Sequence, residues 1–321
     1  MARIICGVDV SSISLEAFVA PHGATGSFHN TVEGVTTLLE FCQQQQVELV
    51  TMEATGGYEK KAVQLLWAEG VGVAVPNPRG VREFAKSLGL LEKTDRIDAR
   101  VIARFAEVKK CEPSVPASAE QQRLKALSRR LQRLSKLAAD QKNQRHLVDE
   151  PRVLRTFDAV LQVAKQQMRE VEAEIATLLA SDPLWQKLEE ALRSIKGVAG
   201  RTVARVLADL PEIGTLSNKA VSKLAGVAPL AQDSGKREGK RAVRGGRRNV
   251  RAILYVVAGV VRRYNPDFAA FAERMAAKGK PKRVIRVALA HKLLVRLNAR
   301  AREARAAIQL CRAGRAKCLT K

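Results

Sequence analysis

Four acidic side chains stand where an acid is costly or where spacing aligns it with another. Asp9 interrupts the apolar segment 5–10, Glu53 ends the apolar segment 48–53 directly before Ala54-Thr55-Gly56-Gly57, and Asp95 and Asp98 lie three apart in the segment 93–100. On a helix, that spacing puts both side chains on one face. Carboxylates gathered closely repel one another unless hard divalent cations neutralise them. Two such cations, Mg²⁺ first and Mn²⁺ as the alternative, would stabilise both the attacking and the leaving oxygen of an in-line phosphoryl transfer. Each acid also has an ordinary reading. A lone Asp in a strand is usually turn-proximal or paired, and an Asp-x-x-Asp pair on a helix usually lines a solvated face.

A second group of residues suggests a polyanionic partner. The segment 233–249 contains Lys236, Arg237, Lys240, Arg241, Arg244, Arg247 and Arg248, interleaved with glycine and almost nothing apolar. It reads as a loop or ribbon whose cations meet phosphates, most of them positioning the nucleic acid and few reading bases. Upstream, the turn Gly197-Val198-Ala199-Gly200 separates two amphipathic segments and offers free backbone N–H groups at a helix start. Lys196, Gly197, Gly200 and Arg201 are therefore further candidates for phosphate contact.

The elements that must hold these residues follow from periodicity. Strands are expected over 4–10, 15–20, 26–29, 47–53 and 71–75, with helices over 31–46, 58–69, 79–89 and 94–108. Three hairpin-linked strands followed by alternating helices and strands give a ribonuclease H-like mixed sheet, its first strand central and its fourth beside it. Asp9 and Glu53 then converge at one sheet edge, within reach of a helix carrying Asp95 and Asp98. Between 113 and 183, Leu124, Leu127, Leu131 and Leu134, and then Leu161, Ala164, Met168, Val171, Ile175 and Leu178, keep a heptad spacing. An antiparallel hairpin within one chain and a seam between two chains both satisfy it. Beyond 184 the pattern is mainly helical, with helices expected over 188–196 and 201–210 and resuming at Val250 and again near Arg283. The fold class is thus α/β plus α in three regions: 1–112, a sheet domain; 113–183, a helical coiled-coil linker; 184–321, a basic helical domain.

Charge follows the same division. The chain has 321 residues, a net charge of +24, 46% hydrophobic and only 4% aromatic residues. Residues 1–112 hold 12 Lys and Arg against 14 Asp and Glu, whereas residues 184–321 hold 32 against 9. The basicity belongs to the C-terminal region, which points to DNA or RNA. Five widely spaced cysteines without a CxxC pair support neither a disulfide framework nor a zinc site. The longest apolar run, Ala252–Val261, is too short to span a bilayer. With no long apolar leader, a cytosolic protein without a membrane partner is expected.

Gly7-Val8-Asp9-Val10-Ser11, Met52-Glu53-Ala54-Thr55-Gly56-Gly57-Tyr58 and Lys93-Thr94-Asp95-Arg96-Ile97-Asp98-Ala99 resemble the three blocks of the DEDD-type insertion-sequence transposases. These are relatives of the Piv/MooV DNA invertases and include bridge-RNA-guided recombinases. The likeness continues through Ser194-Ile195-Lys196-Gly197-Val198-Ala199 with Thr202, Ala225-Gly226-Val227-Ala228-Pro229 and Asp233-Ser234-Gly235. It implies a RuvC-like domain, a coiled-coil segment and a C-terminal transposase domain. Asp9, Glu53, Asp95 and Asp98 match the metal-binding tetrad, and Ser234 matches a serine nucleophile. By the residues alone, Ser234 is not separated from Ser217 or Ser222. The resemblance further implies Mg²⁺-dependent cutting and rejoining of target and donor DNA through a phosphoserine, guided by a noncoding RNA. It also implies a homodimer or homotetramer with composite active sites in the bacterial cytosol and nucleoid. A RuvC-like endonuclease with water as nucleophile is the alternative. Two departures stand out: the loop is richer in Arg than the family's, and Lys196 occupies a position where the related turn commonly has Pro.

Overall fold

The computed structural model describes residues 3–54, 56–90, 95–231, 233–234, 239 and 241–319, except for the side chains of 95–97 and 311–319. The chain forms two compact units, Met1–Ala117 and Ser118–Lys321. No helix among the described residues is long and apolar enough to cross a membrane.

In the first unit, β1 (Ile5–Val10), β2 (Ser14–Ala20) and β3 (Thr25–His29) precede α1 (Val32–Gln44), β4 (Leu49–Met52), α2 (Glu59–Ala68), β5 (Val73–Ala74), α3 (Pro78–Ser87) and α4 (Asp95–Lys109). The sheet order is β3-β2-β1-β4-β5. β1 is antiparallel to β2 and parallel to β4, so the first strand is central with the fourth beside it, as the element order predicts. Residue parity separates the two faces. Cys6, Val8 and Val10 join Leu15, Val50 and Met52 in a core closed by Val35 and Leu38 of α1 and by Ala62 and Leu66 of α2. On the other face Ile5, Leu49 and Ala74 meet Ala106 of α4, and α3 packs on α4 through Val81, Ile102 and Phe105. Gly7 makes the approach of α4 possible. A Cβ there would lie 2.2 Å from Ala99 O and 2.4 Å from Ala103 N, so only glycine lets the helix backbone rest on β1.

In the second unit, α5 (Ala119–Arg145) and α6 (Pro151–Ser181) form an antiparallel hairpin. The Arg123–Glu174 and Arg145–Asp158 pairs fix their opposed direction. Leu124, Leu131 and Leu134 share a core with Val171, Ile175 and Leu178, so the heptad spacing is accounted for within one chain. There follow α7 (Pro183–Arg193), α8 (Gly200–Asp209), α9 (Asn218–Leu224), a ribbon of β6 (Pro229–Leu230) and β7 (Ala242–Val243), α10 (Arg248–Tyr264), α11 (Pro266–Ala277) and α12 (Lys282–Leu319). α7 starts earlier than its apolar spacing suggested, because Asp182 accepts hydrogen bonds from Leu184 N and Trp185 N with Pro183 in the first turn. α11 was not expected from periodicity. Asn265 creates it by closing α10 with its own N–H, bonded to Val261 O, and opening α11 by accepting from Asp267 N. A buried amide then pins the α8–α9 connection to α12: Asn298 Oδ1 accepts from Gly214 N at 2.8 Å, while its Nδ2 donates to Leu216 O and Asn218 Oδ1.

Candidate functional site

Backbone register places the first two carboxylates. Val8 of β1 is paired with Met52 of β4, so Asp9 and the residue that follows β4, Glu53, each come directly after this last paired position, at the C-terminal ends of adjacent parallel strands. Alternation sets both on the face shared by Gly7 and Thr51, which is the face α4 covers. α4 comes closest at Gly7, against the carbonyl of Ala99, one residue beyond Asp98. Asp9, Glu53 and Asp98 are each half-buried, and none of the three lacks an interaction partner. Asp95 opens α4 one turn before Asp98; its side chain, like Lys93 and Thr94, lies outside the described residues.

These side chains offer only oxygen donors, which is the chemistry a hard divalent cation takes. Behind Glu53, on the same face, the Oγ1 of Thr51 is buried with no hydrogen-bond partner among the described residues. Among the described residues, however, no three His, Cys, Asp or Glu side chains are grouped closely enough to hold an ion. The backbone brings the acid-bearing ends of β1 and β4 to one corner of the sheet.

Two residues near this corner carry no signal in the sequence pattern. Glu16 is the antiparallel partner of Asp9, so a third acid lies on that face, held by Ser27 Oγ donating to its Oε1 at 2.6 Å. Only the hairpin register could have revealed it. Asn30 Nδ2 donates to Ser11 O at 2.8 Å and to Tyr58 O at 3.2 Å. It ties the segment leaving β1 after Asp9 to the one following Glu53, a role that an isolated turn asparagine does not advertise.

The cations are placed less uniformly. Ser234 is exposed and lies on an isolated β-bridge, and Asp233 beside it accepts from Arg241 at 2.7 Å and from Gly239 N at 3.0 Å. The Arg241 guanidinium and that amide hold the Asp233 carboxyl below its ordinary pKa. Lys236, Arg237 and Lys240 lie outside the described residues. Arg244 and Arg248 are exposed. Arg247 has a different role: it donates to both oxygens of Glu212 at 2.5 Å and to Asp209 O at 3.0 Å. In the turn, Lys196 is exposed and Gly197 takes a φ of +95° close against Val261. Gly200 begins α8, whose cap residue, Ala199, has no side-chain hydrogen bond to the helix. Arg201 is ion-paired to Glu172 of α6. The sequence grouped these cations by composition; the structure separates the exposed ones from those engaged by the fold.

A mixed sheet with acids at the ends of its central parallel strands, in a chain whose positive charge belongs to a separate helical unit, defines an α/β protein built for nucleic-acid chemistry. Comparison with known proteins narrows this class. A DEDD transposase model of the IS110 type matches residues 6–148, and a model described as the transposase IS116/IS110/IS902 family matches residues 189–273. The chain is 26% identical over 305 residues to the Pilin gene-inverting proteins of Moraxella lacunata and Moraxella bovis, covering 92% of this chain and 94% of each of them. It is also 29% identical over 130 residues to an uncharacterized 43.6 kDa protein of insertion element IS110 from Streptomyces coelicolor, covering 40% of this chain and 31% of that one. The chain belongs to the IS110-type family of DEDD transposases, enzymes that cut and rejoin DNA.

Proposed function

We propose that the chain is the site-specific recombinase of an insertion element, cutting and rejoining double-stranded target and donor DNA by transesterification. The observation that supports this reading is the β1–β4 register, which sets Asp9 beside Glu53 under the helix that carries Asp95 and Asp98. Divalent cations, Mg²⁺ first, held by these carboxylates would supply charge stabilisation at the phosphate and at its attacking and leaving oxygens. Ser234 is the nucleophile. Its Oγ attacks phosphorus, a phosphoserine bond forms as the bond to the sugar oxygen breaks, and the serine proton ends on the released sugar hydroxyl. In rejoining, a hydroxyl of the partner strand attacks the phosphoserine and a proton returns to Ser234, so phosphodiester energy is conserved and no nucleotide cofactor is consumed. Asp233, anchored by Arg241 and the Gly239 amide, fixes the ribbon beside the nucleophile. Exposed Lys196, Arg244 and Arg248 position phosphates. A noncoding guide RNA selects target and donor by base pairing, and a homodimer or homotetramer supplies carboxylates and serine from different protomers.

The test is covalent trapping with end-labelled DNA, Mg²⁺ and the element's noncoding RNA. Wild type should give a denaturation-resistant protein–DNA adduct that disappears in Ser234→Ala and on omission of the RNA. Free cleaved ends without an adduct, unchanged in Ser234→Ala, would make water the nucleophile and the protein a RuvC-like endonuclease.

A further inference from the structure

Away from the carboxylates and the serine ribbon, α10, α11 and α12 enclose an open groove of about 720 Å³. One wall is a stripe on α10: Val256, Val260 and Tyr264 recur every fourth residue and are 55%, 40% and 59% exposed. Exposed apolar side chains in a continuous row mark an interaction surface. Around the stripe stand Arg262, Arg263, Lys282 and Arg286, and among the described residues no carboxylate lines the groove. Arg286 is built into place. Its Nε donates to Tyr255 O at 2.9 Å and its guanidinium lies 4.5 Å from the Tyr255 ring centre. Gly259 leaves room for it, since a Cβ there would come within 2.9 Å of an Arg286 terminal nitrogen. Those terminal nitrogens make no hydrogen bond among the described residues, so donors of a fixed guanidinium remain for a ligand.

We propose that this groove binds unpaired nucleotides, with phosphates on its cationic rim and a base stacked on Tyr264. Cations bordering an aromatic ledge are the arrangement that holds single strands, because every base has a stacking face and a duplex hides it. Charge disfavours a second copy of the chain seated symmetrically here, since the four cations of the rim would face their own counterparts. The inference rests on the groove and not on the serine nucleophile, so failure of one leaves the other standing.

The test is fluorescence anisotropy of the full chain with short labelled single-stranded DNA, single-stranded RNA and duplex DNA. Tyr264→Ala should weaken single-strand binding about tenfold or more while leaving duplex binding within about twofold, and Tyr264→Phe should retain most of the affinity. Val260→Glu, at an exposed position, should reproduce the loss, and thermal melting should match wild type for each variant. Loss with DNA, RNA or both supports the groove and names the strand it takes. Unchanged single-strand binding in Tyr264→Ala and Val260→Glu overturns the proposal. So does a parallel loss of duplex binding, or a change in sedimentation with nucleic-acid binding intact, which would make the groove a protein interface.

Discussion

In the first unit acids are gathered by backbone pairing, with Asp9 opposite Glu16 and in line with Glu53, whereas in the second unit cations are spread over helices and a ribbon, many already engaged by the fold. Arg247 grips Glu212 and Asp209 O. Arg251 donates to Gly226 O and Gly245 O, and Arg302 and Arg305 donate to the carbonyls of Leu216, Ile213 and Pro211. Sheet register can place a few side chains closely because neighbouring strands are only about 5 Å apart. Helix-borne guanidiniums reach farther and find the carbonyls left open where helices end. A net charge of +23 in residues 184–321 therefore overstates the cations available to DNA. Several arginines in this unit are struts of the fold.

Substitutions can break or sharpen that contrast. The largest effect is expected from Asp9→Asn, which should lower strand cleavage at least about a hundredfold with DNA affinity and melting temperature near wild type. Equal activity would remove the acid corner from the chemistry. Gly7→Ala should follow, destabilising the first unit by about 3 kcal/mol in urea denaturation, because the new methyl meets the backbone of α4 rather than a movable side chain. Arg247→Ala should cost about 1–2 kcal/mol, a figure discounted for solvent because both partners are about a third exposed. Smallest in stability are Arg244→Ala and Arg248→Ala, within about 0.5 kcal/mol. Each should instead reduce the salt dependence of DNA binding by about one counterion. If Arg247→Ala changed the salt slope as much as these two and left stability intact, the division into struts and contacts would fail.

The Glu212 carboxyl adds a pH arm to this comparison. Burial pushes its pKa up, but hydrogen bonds from Arg247 and from its own backbone amide outweigh that, and the net position is below the ordinary value. A carboxyl depressed in the folded state contributes stability above its unfolded pKa of about 4.3 and loses that contribution as pH falls through the lower folded value. Wild type should thus lose more stability than Arg247→Ala between about pH 6 and pH 3. Parallel acid titrations of the two proteins would show that Arg247 does not hold Glu212.

The sheet was legible because alternation and turn chemistry are local. Residues 5–10 read as a buried strand from their apolar run, and the order of elements fixed which strands could be neighbours. Asp9 and Glu53 were visible for the same reason, as acids breaking or ending apolar strands. Glu16 and Asn30 were not, since their importance lies in cross-strand pairing and in hydrogen bonds between distant segments, neither of which has a sequence period. Arg247 was grouped with its basic neighbours because composition carries no information about which guanidinium meets a glutamate 35 positions earlier. Tyr264 hid in the long apolar-and-basic stretch of α10, where only the placement of α12 shows that one face is left uncovered.

The core of the second unit runs from Leu124 to Ala304 of α12, while among the described residues the cores of the first unit draw on nothing beyond Cys111. On a ribosome these units mature at different times. The sheet can close once its strands and α4 have emerged, with most of the chain still unmade. The basic unit has to wait for Asn298 to reach the loop it pins, more than eighty residues upstream, so the sheet can close before the unit that carries the positive charge.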